Sequence, residues 1–248
     1  MLLTIDIGNT NIKSAFFENS LMKEFNVHTN TGKALEYFSK HKFEEAAICS
    51  VNPAVEKLIS DNICSKGIST FRISVENKFN LKIKYRTPAT LGMDRVCSVA
   101  GALDIAEKEK LLSIGQYLIT IDFGTATTIN ILSPDREFIG GLIAPGITTM
   151  LKSLNEKTAN LPLPDLNNYK GLIGDSTSTS IISGVITATT GLINETIGKL
   201  SSENNEQLPV IFATGGNAGF IIPHLKYKVI FEEALVLKGL KVLYDLNN

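Results

Sequence analysis

Cysteine is scarce in this chain. Only Cys49, Cys64 and Cys97 occur among 248 residues. The number is odd and no two stand in C-x-x-C spacing, which fits reduced thiols in a cytosolic protein. Cys97 lies in the apolar run Val96-Cys97-Ser98-Val99-Ala100 and reads as a small buried hydrophobe. Histidine is equally sparse. His28, His41 and His224 stand apart, without metal-ligand spacing, so surface or structural roles are expected of them. An excess of one charge is also missing: 24 Lys and Arg face 25 Asp and Glu, a formal net charge of -1. No global field gathers nucleic acid or an anionic membrane, and neither is expected as a partner. No stretch approaches the ~18 apolar residues of a membrane span. The apolar start, Met1-Leu2-Leu3-Thr4-Ile5-Asp6, is too short for a signal peptide and lacks its basic region, so a cytoplasmic protein is expected.

What is present is an ordinary globular composition, 44% hydrophobic and 20% charged. Strands are expected at residues 2–6, 12–17, 46–51, 81–85, 117–122, 127–132 and 209–214. Helices are expected at 95–106, 177–200 and 232–244. Alternating strands and helices argue for an α/β fold.

One pattern occurs twice. A strand, Asp6-Ile7-Gly8-Asn9-Thr10, and a return strand match a second strand, Asp122-Phe123-Gly124-Thr125-Ala126, and its return. This reads as an internal duplication with a boundary near residues 112–116. Glycine lets such a turn come close to an oxyanion, and its backbone N–H groups can cradle phosphate. Asn9, Thr10 and Asn11 add short polar side chains, and Lys13 adds positive charge. Asp6, at a strand end, could hold Mg²⁺ through water. A lone turn of this kind is a plain hairpin connection; two, each with its Asp, point to nucleotide phosphates. Thr214-Gly215-Gly216-Asn217 resembles a third nucleotide-side turn, though a helix-capping turn would look the same.

The stretch Tyr85-Arg86-Thr87-Pro88-Ala89-Thr90-Leu91-Gly92-Met93-Asp94-Arg95 is the most informative. Pro88 and Gly92 shape a loop that leads into a helix starting near Arg95. Asp94 then sits at or near the N-cap, where a capping carboxylate is the simplest reading. A cation at a helix N-terminus opposes the dipole, so Arg95 is expected to have another task, such as pairing with an anion.

The order Asp-x-Gly-Asn-Thr, Tyr-x-x-Pro-x-x-x-Gly-x-Asp-Arg, Asp-x-Gly-Thr-Ala-x-Thr resembles the type III pantothenate kinases. Gly140-Gly141-Leu142-Ile143-Ala144-Pro145-Gly146, Thr158-Ala159-Asn160-Leu161-Pro162, Gly174 through Thr177 to Gly184, and Leu235-Val236-Leu237-Lys238-Gly239-Leu240 extend the likeness over nearly the whole chain. The resemblance implies two ribonuclease-H-like halves of the acetate kinase, sugar kinase, Hsp70 and actin superfamily, residues 1–114 and 115–248, with ATP in the cleft between them. It implies that Asp6, Ile7, Gly8, Asn9, Thr10, Asn11, Ile12 and Lys13 form the ATP phosphate loop and that Thr125 also binds ATP. Asp94 matches the proton acceptor. Tyr85, Gly92, Met93, Asp94, Arg95 and Thr177 match positions that contact pantothenate, and Asp122 matches the position holding a monovalent cation, K⁺ or NH₄⁺. The implied reaction converts ATP and pantothenate to 4′-phosphopantothenate in a homodimer whose substrate pocket lies partly at the subunit interface. Three rivals remain: a kinase for another small hydroxyl substrate, a transcriptional accessory factor related to this family, and an ATP-driven interaction module of the Hsp70 type.

Overall fold

The computed structural model describes residues 1–248. In chain order the elements are β1 (Leu2–Ile7), β2 (Ile12–Glu18), β3 (Leu21–His28), α1 (Thr31–Ser39), β4 (Glu45–Ser50), α2 (Pro53–Cys64), β5 (Ser69–Arg72), β6 (Lys82–Ile83) and α3 (Met93–Lys108). There follow β7 (Leu118–Phe123), β8 (Ala126–Leu132), β9 (Glu137–Pro145), α4 (Ile147–Lys157), α5 (Thr177–Glu203), β10 (Val210–Thr214), α6 (Ala218–Ile221), β11 (Ile230–Phe231) and α7 (Leu235–Asn247).

The chain divides into two compact units. The first holds Met1–Leu111, Asp135–Gly140 and Ala234–Asn248; the second holds Leu112–Pro134 and Gly141–Glu233. The exchange lies near the expected cut between residues 114 and 115, but two later segments pack with the first unit.

In the first unit the strand order is β3-β2-β1-β4-β5. β1 and β2 are antiparallel, as are β2 and β3, while β1–β4 and β4–β5 are parallel. The central β1 and β4 are buried nearly throughout, as parallel strands covered on both faces must be. Phe16, Phe38, Leu3, Ile5, Ile48, Ile59 and Ile63 fill the core beneath α1 and α2. α7 joins this unit by packing along α3. Gly101 and Gly239 make that possible: a Cβ on Gly101 would stand 2.6 Å from the Leu235 carbonyl oxygen, and one on Gly239 would collide with the Cys97 carbonyl. Two helices whose backbones approach this closely need glycine at the crossing.

The second unit repeats the plan. Its strands run β9-β8-β7-β10-β11 in a six-stranded sheet that β6 extends past β9, with β7 antiparallel to β8 and parallel to β10, and β10 parallel to β11. β7 therefore takes the place of β1, and β10 that of β4. α5 lays Ile182, Val185, Ile186, Ile193 and Ile197 on Ile119, Ile121 and Ile211 of this sheet. The duplication read from the Asp-x-Gly turns thus extends to the strand order of both units.

Candidate active site

The first Asp-x-Gly turn connects β1 to β2. The Gly8 N–H donates to the Asn11 carbonyl (3.1 Å), closing a tight hairpin over Asn9 and Thr10. Asn9, Thr10 and Asn11 are exposed, while the Ile7 and Ile12 side chains are in the core. From those two isoleucines a ligand meets only backbone. Asp6, half-buried, lies opposite Lys13 across the ladder. Directly opposed residues of an antiparallel pair share a face, so the lysine ammonium and the carboxylate stand on the same side of the sheet.

Asp94 belongs to the same unit. α3 begins at Met93 with Gly92 as its N-cap, so Asp94 is the second helical residue, not the cap, and the helix starts two residues earlier than the sequence predicts. The extended backbone of Gly92 follows a 3₁₀ turn at Pro88–Thr90, and this turn directs the chain into the helix. The Asp94 carboxylate folds back to accept from the Arg95 N–H at 2.9 Å. Burial pushes its pKa above the ordinary carboxylate value, opposed by that backbone bond and by the Arg95 charge. A half-buried carboxyl with a raised pKa is a better proton acceptor near neutral pH than an exposed one.

Two thiols tie Asp94 to the first turn. Cys97, one helical turn after Asp94, meets Cys49 of β4, and Cys49 is in register with Asp6 of β1. Both thiols are fully buried. The Cys49 thiol is held well above its usual range, first by the bond to Cys97, then by burial, with the charges of Asp6 and Asp94 adding to it. The Cys97–Cys49 contact puts the first turns of α3 against β4, the strand whose Cys49 is in register with Asp6 of β1. Arg95 is 7% exposed, and its guanidinium carbon lies 5.5 Å from the centre of the Phe138 ring and 5.9 Å from that of Tyr85. The misplaced helix-start cation thus occupies an aromatic setting, also within the first unit.

In the second unit the Asp122 turn is one residue shorter: Phe123 pairs with Thr127, whereas Ile7 pairs with Ile12. Asp122 consequently faces Thr128, which is uncharged, where Asp6 faces Lys13. Thr125 is exposed. Its carbonyl accepts from the Gly146 N–H (3.0 Å) and from the Thr149 hydroxyl (2.6 Å), so the N-terminus of α4 is docked on the turn. A helix N-terminus favours anions through its free N–H groups and its dipole. Gly215 closes the other side with φ +99°; a Cβ there would lie 2.5 Å from the Asp122 Oδ1. The Asn217 N–H reaches the Phe123 carbonyl at 3.1 Å. Thr177 is exposed as the first residue of α5, whose N-terminus Ser176 and Thr179 cap reciprocally.

The first unit therefore gathers Asp6, Lys13, Asp94, Arg95 and Tyr85, and the second gathers Asp122, Thr125 and the Gly215 turn. Sequence reading missed Phe138 as the neighbour of Arg95, and Gly146 with Thr149 as supports of Thr125. The Gly-Gly and Pro-Gly signals at 140–146 were visible, but their partners lie far along the chain. No group of three or more His, Cys, Asp or Glu is arranged to hold a metal. A single strand-end carboxylate such as Asp6 still suits Mg²⁺, which retains water and takes substrate phosphates as ligands. Gly215 lets its turn pack directly against the Asp122 carboxylate and the Phe123 backbone, where a Cβ would collide.

Solved structures share this architecture. One described as a Baf family transcriptional activator, from Campylobacter jejuni, superposes with a TM-score of 0.58 at 20% identity, covering 98% of this chain and 97% of that one. The activator of the 2-hydroxyisocaproyl-CoA dehydratase from Clostridium difficile, with bound ADPNP, gives 0.52 at 11% identity over 99% and 95%. The fold is that of the acetate kinase, sugar kinase, Hsp70 and actin superfamily: two ribonuclease-H-like α/β units. Sequence comparison is more specific. The family model for type III pantothenate kinase matches residues 2–199. A type III pantothenate kinase from Finegoldia magna is 33% identical over 100% of this chain and 98% of its own length. The chain belongs to the type III pantothenate kinase family.

Proposed function

We infer that this protein transfers the γ-phosphoryl group of ATP to the primary hydroxyl of pantothenate, giving 4′-phosphopantothenate and ADP, the first step of coenzyme A synthesis. The observation that carries this reading is Asp94: a half-buried carboxyl of raised pKa on the first turn of α3, accepting from the Arg95 N–H, in the same unit as the Asp6 turn. Phosphoryl transfer asks little covalent chemistry of a protein. It needs an aligned hydroxyl, neutralised phosphate oxygens and exclusion of water.

Asp94 accepts a hydrogen bond from the pantothenate hydroxyl, aligns its oxygen on the γ-phosphorus, and takes its proton as the new P–O bond forms. The Asp6–Lys13 turn presents backbone N–H groups and an ammonium to the phosphates. Thr125 and the α4 N-terminus offer N–H groups and a positive dipole end to the nucleotide. Mg²⁺, when bound, neutralises β- and γ-phosphate charge, with Asp6 as the carboxylate that holds its water shell. Asp122 would hold the monovalent cation, K⁺ or NH₄⁺, as its match to that position of the family implies. Tyr85, Gly92, Met93 and Arg95 contact pantothenate, as does Thr177, which belongs to a homodimer in this reading. No helix is long and apolar enough to cross a membrane, and we assign the reaction to the cytoplasm.

The test is product formation. Protein, ATP and Mg²⁺ are incubated with pantothenate in K⁺, NH₄⁺ or tetramethylammonium salt, and the product is identified by mass spectrometry. A phosphate monoester of pantothenate, formed only with a small monovalent cation, is expected. A folded preparation that binds ATP yet leaves pantothenate unmodified contradicts the substrate and moves weight to the accessory-factor or other-hydroxyl readings. Light scattering tests the dimer separately.

A further inference from the structure

We propose that His28 is a positioning residue for the phosphate turn: its hydrogen bond to Ser14 pins the edge strand β3 to β2 and so sets where the turn at residues 8–11 and Lys13 stand. The proposal rests on the reading of that turn as the ATP phosphate loop and adds what holds it in place. Ile12, the first residue after the turn, lies opposite Ile7 of β1 on one side and opposite His28 of β3 on the other. The β2–β3 ladder ends there, since His28 is the last residue of β3. Pinning is needed because of what β3 lacks. His28 is its one buried residue; every other position is exposed or half-buried. A strand without a buried face specifies its register weakly, and the β2–β3 register already shifts between Phe16 and Phe17. Beyond that irregularity Ser14, fully buried, and His28, 4% exposed, are joined at 2.8 Å between the hydroxyl and Nε2. The imidazole also packs against Tyr37 and Phe38, with ring centres 5.0 and 5.5 Å away, so the bond ties β2, β3 and α1 together.

The second unit supplies the comparison. Ser14 faces Ile5 across the β1–β2 ladder, and the matching pair of the repeat is Ile121 and Ile129, both in the core. The sheet plan therefore accepts an apolar residue where Ser14 stands. A hydroxyl and an imidazole placed there instead carry a desolvation cost that their mutual bond offsets with little to spare. Stability alone does not call for the pair. What it adds is direction: a satisfied buried polar pair fixes one geometry where apolar packing tolerates slippage. The pair occurs in the unit whose turn carries Asn9, Thr10, Asn11 and Lys13, one residue longer than the turn of the repeat and opposite the lysine-free ladder of Asp122.

The experiment measures the Kd for ATP with Mg²⁺ by titration calorimetry, and Tm alongside, for wild type, His28→Phe, Ser14→Ala, His28→Gln, the double variant Ser14→Ala/His28→Phe, and Lys13→Ala. The expected result is a Kd raised about three- to tenfold in His28→Phe and in Ser14→Ala, which break the same bond from opposite ends. His28→Gln, whose amide can reach the Ser14 hydroxyl, should stay within about twofold of wild type. The double variant leaves neither polar partner stranded in the core, so it should melt above His28→Phe yet keep the raised Kd. Wild-type Kd in both single variants overturns the proposal, as does a Kd that returns to wild type with Tm in the double variant; either result leaves His28 a core residue. Lys13→Ala separates the two readings. If it raises Kd while His28→Phe and Ser14→Ala do not, the brace alone fails. If it leaves Kd unchanged, or if wild type binds no ATP, the phosphate-loop reading fails and this proposal with it.

Discussion

Replacing Gly215 by alanine tests the cation site more sharply than removing the carboxylate would. Gly215 has φ +99°, a region that costs an L-residue about 1–2 kcal/mol. The new methyl would also stand 2.5 Å from the Asp122 Oδ1 and 2.6 Å from the backbone N and C of Phe123. The carboxylate can swing aside, but the Phe123 backbone is held in β7, and overpacking of this kind costs about 1–3 kcal/mol. Together the two effects amount to about 2–5 kcal/mol, and a chain of this size loses about 2–4 °C of Tm per kcal/mol, so a fall of roughly 4–20 °C is expected. Because the carboxylate is what yields, the proposed activation by K⁺ should weaken with the stability. The molecule supplies its own control: a Cβ on the neighbouring Gly216 meets nothing within 4 Å. Calorimetric scans and KCl titrations of Gly215→Ala, Gly216→Ala and wild type decide the matter. A Gly215→Ala protein that melts with wild type and keeps its K⁺ response would refute the cradle, as would equal losses in both variants.

Three further expectations follow from single contacts. Burial lowers the pKa of His28, whose Nε2 lies 2.8 Å from the Ser14 hydroxyl. The unfolded chain then binds the proton first, so stability is present above the unfolded value of 6.5 and is lost as pH falls below it towards the folded value; urea midpoints of His28→Gln should decline less than those of wild type across that window. For Asp94 the sign reverses: its folded pKa lies above the ordinary value of 3.8, so its ionisation opposes folding as pH rises through that region. Asp94→Asn should therefore melt no lower than wild type at pH 7, and the acid limb of wild-type kcat/KM should lie above that of an ordinary aspartate. Gly239→Ala should cost about 1–3 kcal/mol by forcing α7 from α3 at the Cys97 carbonyl, whereas Gly191→Ala, with open space around it, should be near neutral in thermal scans.

The elements legible in the sequence were those with dense apolar runs. β1, β4, β7, β8 and β10 fell within a residue or two of expectation, because central strands buried on both faces have little else in them. β3 escaped: it is an edge strand, exposed or half-buried at most positions, so its pattern is weak. α1 and α2 also escaped, although Asn30 and Asn52 cap them; each is short and buries only a few side chains. β9 was hidden by Gly140 and Gly141, which argue against a strand until their partners are known. The expected strand at 81–85 shrinks to Lys82–Ile83, since only those two residues pair with β9. The last helix begins at Leu235 rather than at 232 because the Glu232 N–H is still bonded to the Ala213 carbonyl, prolonging the sheet.

The turns of the candidate site carry Asp, Gly and Thr at short spacing, and short-range chemistry survives in a one-dimensional string. What the string could not carry were contacts between distant positions. Phe138 lies 43 residues from Arg95, the α7 crossing joins Gly101 to Gly239, and Cys49 and Cys97 meet only because β4 and α3 are neighbours. Arg95 is the instructive case. Its misfit with the helix dipole was visible from sequence and predicted an additional role, but the aromatic partner that accommodates it was not.

The central claim is that Asp94 is the proton acceptor of a pantothenate kinase, and the direct test is the rate of pantothenate-dependent ADP release by Asp94→Asn. The asparagine keeps the shape and loses the base. The account predicts a fall on the order of 10²–10⁴ in kcat, with ATP binding and Tm preserved. Full activity in this variant would contradict it, leaving Asp94 as a helix-start carboxylate and requiring another base.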